Sequence, residues 1–217
     1  MNAFLSLVPR FTAAMLVTLE VSLLAALPGM VGGFLLNMLR MRFPQTLAYP
    51  YKAYVWLMRG TPYLSQLMIV YFGLPILGLT MSAVQATILS LSLYSAAYFA
   101  EIFRAGWASI PRGQIEAARA FGIDRWTAFR AIELPQAVAF ALPLLANQVI
   151  LVIKESAVAS IITVPELTMT ASDIVASTYA YIGPYAMLIV SYWFLTQAVA
   201  LLAGRAATLI TFLQKTS

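Results

Sequence analysis

The chain has no cysteine and no histidine, and it is poor in charge of either sign. Without cysteine there is no disulfide, thiolate metal site or cysteine nucleophile. Without histidine the commonest general base and the commonest neutral metal ligand are missing, and serine–histidine chemistry goes with them. None of the three lysines, Lys52, Lys154 and Lys215, follows a glycine-rich phosphate loop, so the chain has no P-loop for hydrolysing ATP. Charged residues make up 10% of the 217, and apolar residues 62%. Soluble domains carry about 25% and about 45–50%. That deviation reads as membrane-embedded. Disorder is excluded, because so apolar a chain would not stay solvated. The net charge is +5, but the 13 basic residues form no stripe, so no nucleic-acid partner is expected.

A membrane helix needs about 20 mainly apolar residues to cross about 30 Å of hydrocarbon. Five stretches qualify, at about residues 11–37, 51–77, 83–103, 136–153 and 183–204. Their apolar runs are continuous rather than alternating, which predicts helices and not barrel strands. The expected class is an all-α integral membrane protein of five spans, one domain over residues 1–217. The first span exceeds the 7–15 residues of a signal-peptide core and contains Glu20, so it is read as retained. Most of the tyrosines and phenylalanines are expected at lipid or interface positions.

Loop charge sets the expected orientation. Arg40, Arg42, Lys52 and Arg59 surround the first connection, and residues 78–82 hold no charge. The third connection holds Arg104, Arg112, Arg119, Arg125 and Arg130. The fourth holds Lys154 against Glu155, Glu166 and Asp173, and the end holds Arg205 and Lys215. The bias places the first and third connections and the C-terminus in the cytoplasm, and the N-terminus outside. The only two aspartates, Asp124 and Asp173, then lie on opposite sides of the membrane. They cannot form an aspartyl dyad, and an enzyme is not expected.

The third connection is too polar to span and too patterned for a loose loop. Residues 114–121 are strong helix formers, with Glu116 expected in the first turn, where the dipole favours an anion. Glu116 and Arg119, one turn apart, are expected to stiffen that helix. Gly122 suits the position that ends it. Asp124 can cap a second short helix over 125–132, and Pro135 then opens the fourth span, where its missing N–H costs little. The predicted element is a helix–glycine–helix hairpin at about 112–134 on the cytoplasmic face. It fits either a hairpin lying on lipid headgroups or a docking element for a partner, with Phe121, Trp126 and Phe129 as aromatic anchors.

Glu116-Ala117-Ala118, then Gly122, then Ile132-x-Leu134-Pro135 resembles the EAA motif of ABC importer permeases. Tyr98-x-Ala100-Glu101-Ile102-x-Arg104-x-Gly106, continuing through Pro111-x-Gly113-Gln114, is similar to the polar amino acid permeases of the histidine and glutamine type. So are Arg59-Gly60-Thr61-Pro62-x-x-x-Gln66, and Lys154-Glu155-Ser156 followed by Ile162-x-x-Pro165-Glu166-Leu167. Ala157 departs from the small hydroxyl residue often found there. The resemblance covers essentially the whole chain, and five spans is also that family's layout. It implies a bacterial inner-membrane permease that pairs with a second copy or a related permease. Two ATP-binding cassette subunits would bind below, and an extracytoplasmic amino-acid-binding protein would deliver solute. ATP and Mg²⁺ would sit on the ATPases and no cofactor on this chain. The coupling residues implied are Glu116, Ala117, Ala118, Phe121, Gly122, Leu134 and Pro135.

Polar groups at membrane depth face a cavity or another helix. Gln148 and Glu155 are seven apart and share one face of the fourth span; Asn147 and Lys154 share the adjacent stripe. With Ser156, this region is a candidate solute path, or else a set of helix–helix hydrogen bonds. Thr61 and Ser65 flank Pro62, whose break frees backbone groups that transporters use for solute; the alternative is a kink that Thr61 satisfies. Glu20 either pairs with a sibling subunit or attracts a cationic solute. A passive small-solute channel is the competing function, although no span has a ring-forming polar pattern.

Overall fold

The structure, a computed structural model, describes the backbone of residues 7–216 and the side chains of residues 7–205. The single domain expected over 1–217 reaches beyond the described residues at 1–6 and 217. The described residues are helical throughout their regular elements. Helix α1 is Val8–Arg42 and α2 is Pro44–Gly60. Helix α3, Tyr63–Met68, runs into a π turn, Ile69–Gly73, and a 3₁₀ turn, Leu74–Leu77. Helix α4 is Ala83–Ala108 and α5 is Arg112–Ala120. Helix α6, Arg125–Ala128, passes through the π turn Phe129–Glu133 into α7, Leu134–Glu155. The 3₁₀ turn Ser156–Ile162 follows, then α8, Leu167–Thr178, and α9, Ile182–Thr216.

Four of the five expected spans lie inside α1, α4, α7 and α9. The second does not form one helix. Pro62 disfavours helical backbone at the residue before it, and Thr61 is extended, with φ −120° and ψ 148°. The chain therefore divides into α2 and α3. Among the described residues four helical segments are long and apolar enough to cross a membrane: Val8–Arg42, Ala83–Ala108, Arg125–Ile162 and Ile182–Arg205. The apolar segment Tyr63–Leu77 is shorter, about 22 Å at 1.5 Å per residue.

Small residues bring the helices together. Gly29 and Gly33 on α1 lie against Ser95, Ala96, Phe99 and Ala100 on α4, and Gly106 of α4 lies against the Ala137 backbone of α7. Without a hydrophobic force between helices in lipid, such close approach supplies the dispersion contacts that hold a bundle. One apolar cluster joins α1, α3, α4 and α7 through Val21, Leu67, Leu91 and Val152. Another joins α1, α7, α8 and α9 through Phe11, Ile153, Leu167 and Leu195.

The connection between α7 and α8 is closed by Glu166, which is 1% exposed. Its carboxylate accepts from the N–H groups of Thr168 and Met169, each at 2.8 Å, and from the Tyr192 hydroxyl at 2.9 Å. It thus caps α8 and ties it to α9. Burial pushes this carboxyl up, while the N–H groups of Thr168 and Met169 and the Tyr192 hydroxyl pull it back; the net direction is upward. A raised folded pKa contributes stability below the unfolded value, about 4.3, and that contribution is lost as pH rises through the folded one. Glu166→Ala leaves the Thr168 and Met169 N–H groups without an acceptor at a buried site, and the Tyr192 hydroxyl with only Thr168 Oγ1 at 3.3 Å. We expect it to cost about 2–3 kcal/mol, measured by thermal unfolding in detergent against Glu166→Gln, which keeps one acceptor oxygen. Equal melting of Glu166→Ala and the parent would contradict the cap.

Candidate functional site

The segment between α4 and α7 forms a helix, a glycine turn and a helix. Helix α5 ends in a Schellman motif. Ile123 N–H donates to Ala118 O and Gly122 N–H to Arg119 O, both at 3.0 Å. Gly122 has φ +73°, a region that costs other L-residues roughly 1–2 kcal/mol. The Asp124 carboxylate then caps α6, accepting from the N–H groups of Trp126 at 2.9 Å and Thr127 at 3.1 Å. The Thr127 side chain first, and then these N–H groups, hold the Asp124 carboxyl below its usual range.

Three details differ from the sequence reading. Helix α5 begins at Arg112, so Glu116 lies past its first turn. Glu116 and Arg119 make no ion pair among the described residues. Arg119 instead lines a cleft of about 600 Å³ with Met41, Arg42, Trp126 and Glu133, against the end of α1. The second short helix is not separate, because α6 continues into α7. Pro135 cannot donate to a regular ladder, and its ring crowds the carbonyl four residues back. The π turn Phe129–Glu133 widens the helix just ahead of it; Leu134 N–H there donates to Phe129 O, one residue further back than usual.

Of the expected coupling residues, Glu116, Ala117, Phe121 and Gly122 are exposed, Ala118 is buried, and Leu134 and Pro135 lie where the segment enters α7. Phe121 is 86% exposed. Trp126 stacks on Phe129 at 5.7 Å, and Phe129 on Trp107 of α4 at 6.1 Å with the rings 8° from parallel. An aromatic stack therefore joins the turn to α4.

The break at Pro62 is closed by side chains. Thr61 Oγ1 donates to Leu57 O at 2.8 Å. Gln66 Nε2 donates to Met58 O at 2.9 Å, Thr61 O at 3.3 Å and Thr61 Oγ1 at 2.8 Å. These freed carbonyls are occupied by the chain itself. Thr61 and Ser65 do come together, lining a mainly apolar cleft of about 240 Å³ with Gln66, Ser90 and Leu93. From sequence Gln66 enters only as the last residue of the motif that begins at Arg59 and not as a site residue; its bonds reach five and eight residues back across the break.

On α7 the four candidates separate. Gln148 is buried in the bundle, whereas Asn147 is exposed in a groove of about 260 Å³ beside Ala200 and Gly204 of α9. Adjacent helical residues point about 100° apart, and the two side chains face different surroundings. Ser156 is buried and its hydroxyl donates to Ile153 O at 2.8 Å. Glu155 is half-buried and close enough to Tyr63 and Tyr94 to act on them electrostatically. Tyr63 contacts Ser90 Oγ at 3.2 Å, and its ring lies 5.3 Å from that of Tyr94, tilted by 48°. Tyr94 donates to the Tyr98 hydroxyl at 3.2 Å, and the Arg59 guanidinium lies 5.2 Å from the Tyr98 ring centre. A ladder of tyrosines thus runs from Glu155 to Arg59. Most tyrosines are expected at lipid or interface positions, but Tyr63, Tyr94 and Tyr98 meet one another; the i, i+4 spacing of Tyr94 and Tyr98 is the signal for it. Glu20 is exposed on α1, between buried Thr18 and Ser22.

Comparison with known proteins agrees with this architecture. The profile of the family described as binding-protein-dependent transport system inner membrane component matches residues 29–208. A probable amino-acid ABC transporter permease, YckA of Bacillus subtilis, is 42% identical over 176 residues, 81% of this chain and 78% of its own. The arginine transport system permease ArtQ of the same organism is 34% identical over 206 residues, 91% and 94%. A crystal structure of an amino acid ABC transporter with histidines superposes with a TM-score of 0.89 at 33% identity, over 95% of this chain and 97% of that one. The MetNI methionine transporter, in an inward-facing conformation, shares the fold at a TM-score of 0.77 and 21% identity, over 94% and 98%. An all-helical bundle, an exposed glycine-turn element and full-length likeness to permeases converge on one family, and the chain belongs to the binding-protein-dependent transport system inner membrane components, the permease subunits of ABC importers.

Proposed function

We propose that this chain is the permease of an ATP-driven importer of polar amino acids, working by alternating access. The observation that carries the coupling role is the exposed Phe121 on a glycine turn whose second helix is continuous with α7. A push on such a knob moves a long helix rather than a loop. ATP and Mg²⁺ would be held by two partner ATPases, and an extracytoplasmic binding protein would supply the amino acid. A second permease, identical or related, completes the pathway. ATP closes the ATPases and draws the turns together, opening the bundle outward; hydrolysis resets it and releases solute inward.

Five crossings follow if α2 and α3 together make the second, as a broken helix. The charge bias of the connections supports a cytoplasmic glycine-turn element and C-terminus, with the N-terminus outside. For the solute, Glu155 is an acceptor for an ammonium group, and the tyrosine ladder offers hydroxyl donors to a carboxylate. The amino acid systems of the relatives support this substrate class. No observation favours a passive channel.

The test is reconstitution of the permease with its ATPase and binding protein in liposomes, with a panel of amino acids. Amino-acid-dependent ATP hydrolysis and uptake are expected. Glu155→Gln should lower uptake of cationic amino acids by about tenfold or more, the loss of one charge-assisted contact. Solute flux without nucleotide would restore the channel.

A further inference from the structure

At one end of the bundle, α1, α2 and α4 enclose a cleft of about 310 Å³ lined by Arg40, Lys52, Arg104, Glu101, Tyr51 and Trp56. Its size is at the low end of small-ligand clefts, about 300–1,000 Å³. Three cations face one carboxylate, and that carboxylate is already engaged. Glu101 accepts from Arg104 Nε at 3.0 Å on both oxygens and from the Tyr51 hydroxyl at 2.8 Å. Arg59 Nη1 lies a further 3.8 Å from Glu101 Oε2. Glu101 therefore neutralises Arg104 and shares Arg59, and it leaves Arg40 and Lys52 without an acidic partner among the described residues. Arg40 is held over the Tyr51 ring, 5.1 Å from its centre, so it is oriented rather than free to follow solvent.

The surroundings specify the kind of anion. Arg40 lies in the last turn of α1 and Arg104 near the end of α4, two segments apolar enough to cross a membrane. The cleft thus opens at headgroup depth. Trp56, on its rim, is 77% exposed, and tryptophan there suits the boundary between acyl chains and headgroups. A soluble anion would have no use for an exposed indole beside the cations. Basic pockets between helices at the cytoplasmic leaflet are a known way to hold anionic lipid. We infer that this cleft binds the phosphate headgroup of an anionic phospholipid, with Arg40 and Lys52 as its main ligands and Trp56 against the first acyl carbons. The inference requires a membrane-spanning chain but not the importer reading.

The experiment uses the permease purified with the subunits that accompany it. Short-chain phosphatidylglycerol is titrated in neutral detergent, and bound lipid is followed by native mass spectrometry. The parent should bind phosphatidylglycerol in preference to phosphatidylcholine. Arg40→Gln with Lys52→Gln should weaken the former about 30-fold, from about 1 kcal/mol per cation at an anionic surface and tenfold per 1.4 kcal/mol. The pair Arg42→Gln with Arg112→Gln removes equal charge outside the cleft and should change binding by less than about threefold. Melting in phosphatidylcholine nanodiscs checks folding, and Lys52→Gln alone, at an exposed position, serves if the double variant does not fold. Equal weakening by both pairs would show a diffuse positive surface only and overturn the site. So would unchanged binding in the cleft variants. Displacement by excess inorganic phosphate would reassign the cleft to a free anion.

Discussion

Replacing Gly33 with leucine is expected to leave little folded permease in the membrane. Even the first carbon of a new side chain would lie 2.7 Å from Ala100 N, Ala96 O and Phe99 Cβ. Two of those atoms are backbone and cannot rotate away, so α1 and α4 would have to separate. Separation would also loosen Phe99 and Phe103, which pack with Ala141 and Leu145 between α4 and α7. The cost should reach or exceed the upper end of the roughly 1–3 kcal/mol seen for overpacked cores. Gly32 provides an internal control. A carbon added there meets only Ala96 Cβ, at 3.7 Å, so Gly32→Ala should behave as the parent. Size-exclusion profile and melting temperature in detergent report the difference. Parent-like melting of Gly33→Leu would mean that α1 and α4 do not cross at this point.

The second large effect is functional and should leave the fold alone. Phe121 projects from the glycine turn, largely free of its own chain. Phe121→Asp should therefore leave expression and melting unchanged. If the ring is an anchor in an ATPase groove, its loss should cost about 2 kcal/mol or more, roughly 30-fold in affinity. The charge adds a desolvation penalty on top. Co-purification of the ATPase and ATP-dependent uptake would both fall. Gly122→Val should act in the same direction but less, because the added carbon has open space and only the backbone conformation resists it. A Phe121→Asp permease that still retains its ATPase and full uptake would remove the coupling role from this turn.

The two variants divide the molecule as the sequence itself does. The glycine turn was legible because its determinants are local: Gly122 needs a positive φ, and Asp124 caps the residues just after it. Four spans were legible because helices satisfy their own backbone in lipid, so composition over about 20 residues suffices. The break in the second span was legible from Pro62, but not its outcome, two helices, α2 and α3, joined through an extended Thr61. Hydropathy averages over a window, and a single proline changes backbone direction without changing the average. The separate second helix of the connection was misread for a related reason. Pro135 marks a helix start in one context and is absorbed by a π turn in another, and only the path of the chain distinguishes them.

Composition, hydropathy and local motifs by themselves determined the class, four of the spans, the glycine turn and the resemblance to importer permeases. Tertiary structure alone decided which polar side chains meet. Gln148 and Asn147 are neighbours in sequence and diverge in space; Arg40, Tyr51 and Glu101 are distant in sequence and share one cleft. The physical reason is that a helix's rotation about its axis is set by the small residues at its crossings. Those crossings, at Gly29, Gly33 and Gly106, pair residues roughly 30 to 70 positions apart, and no single helical window contains both partners.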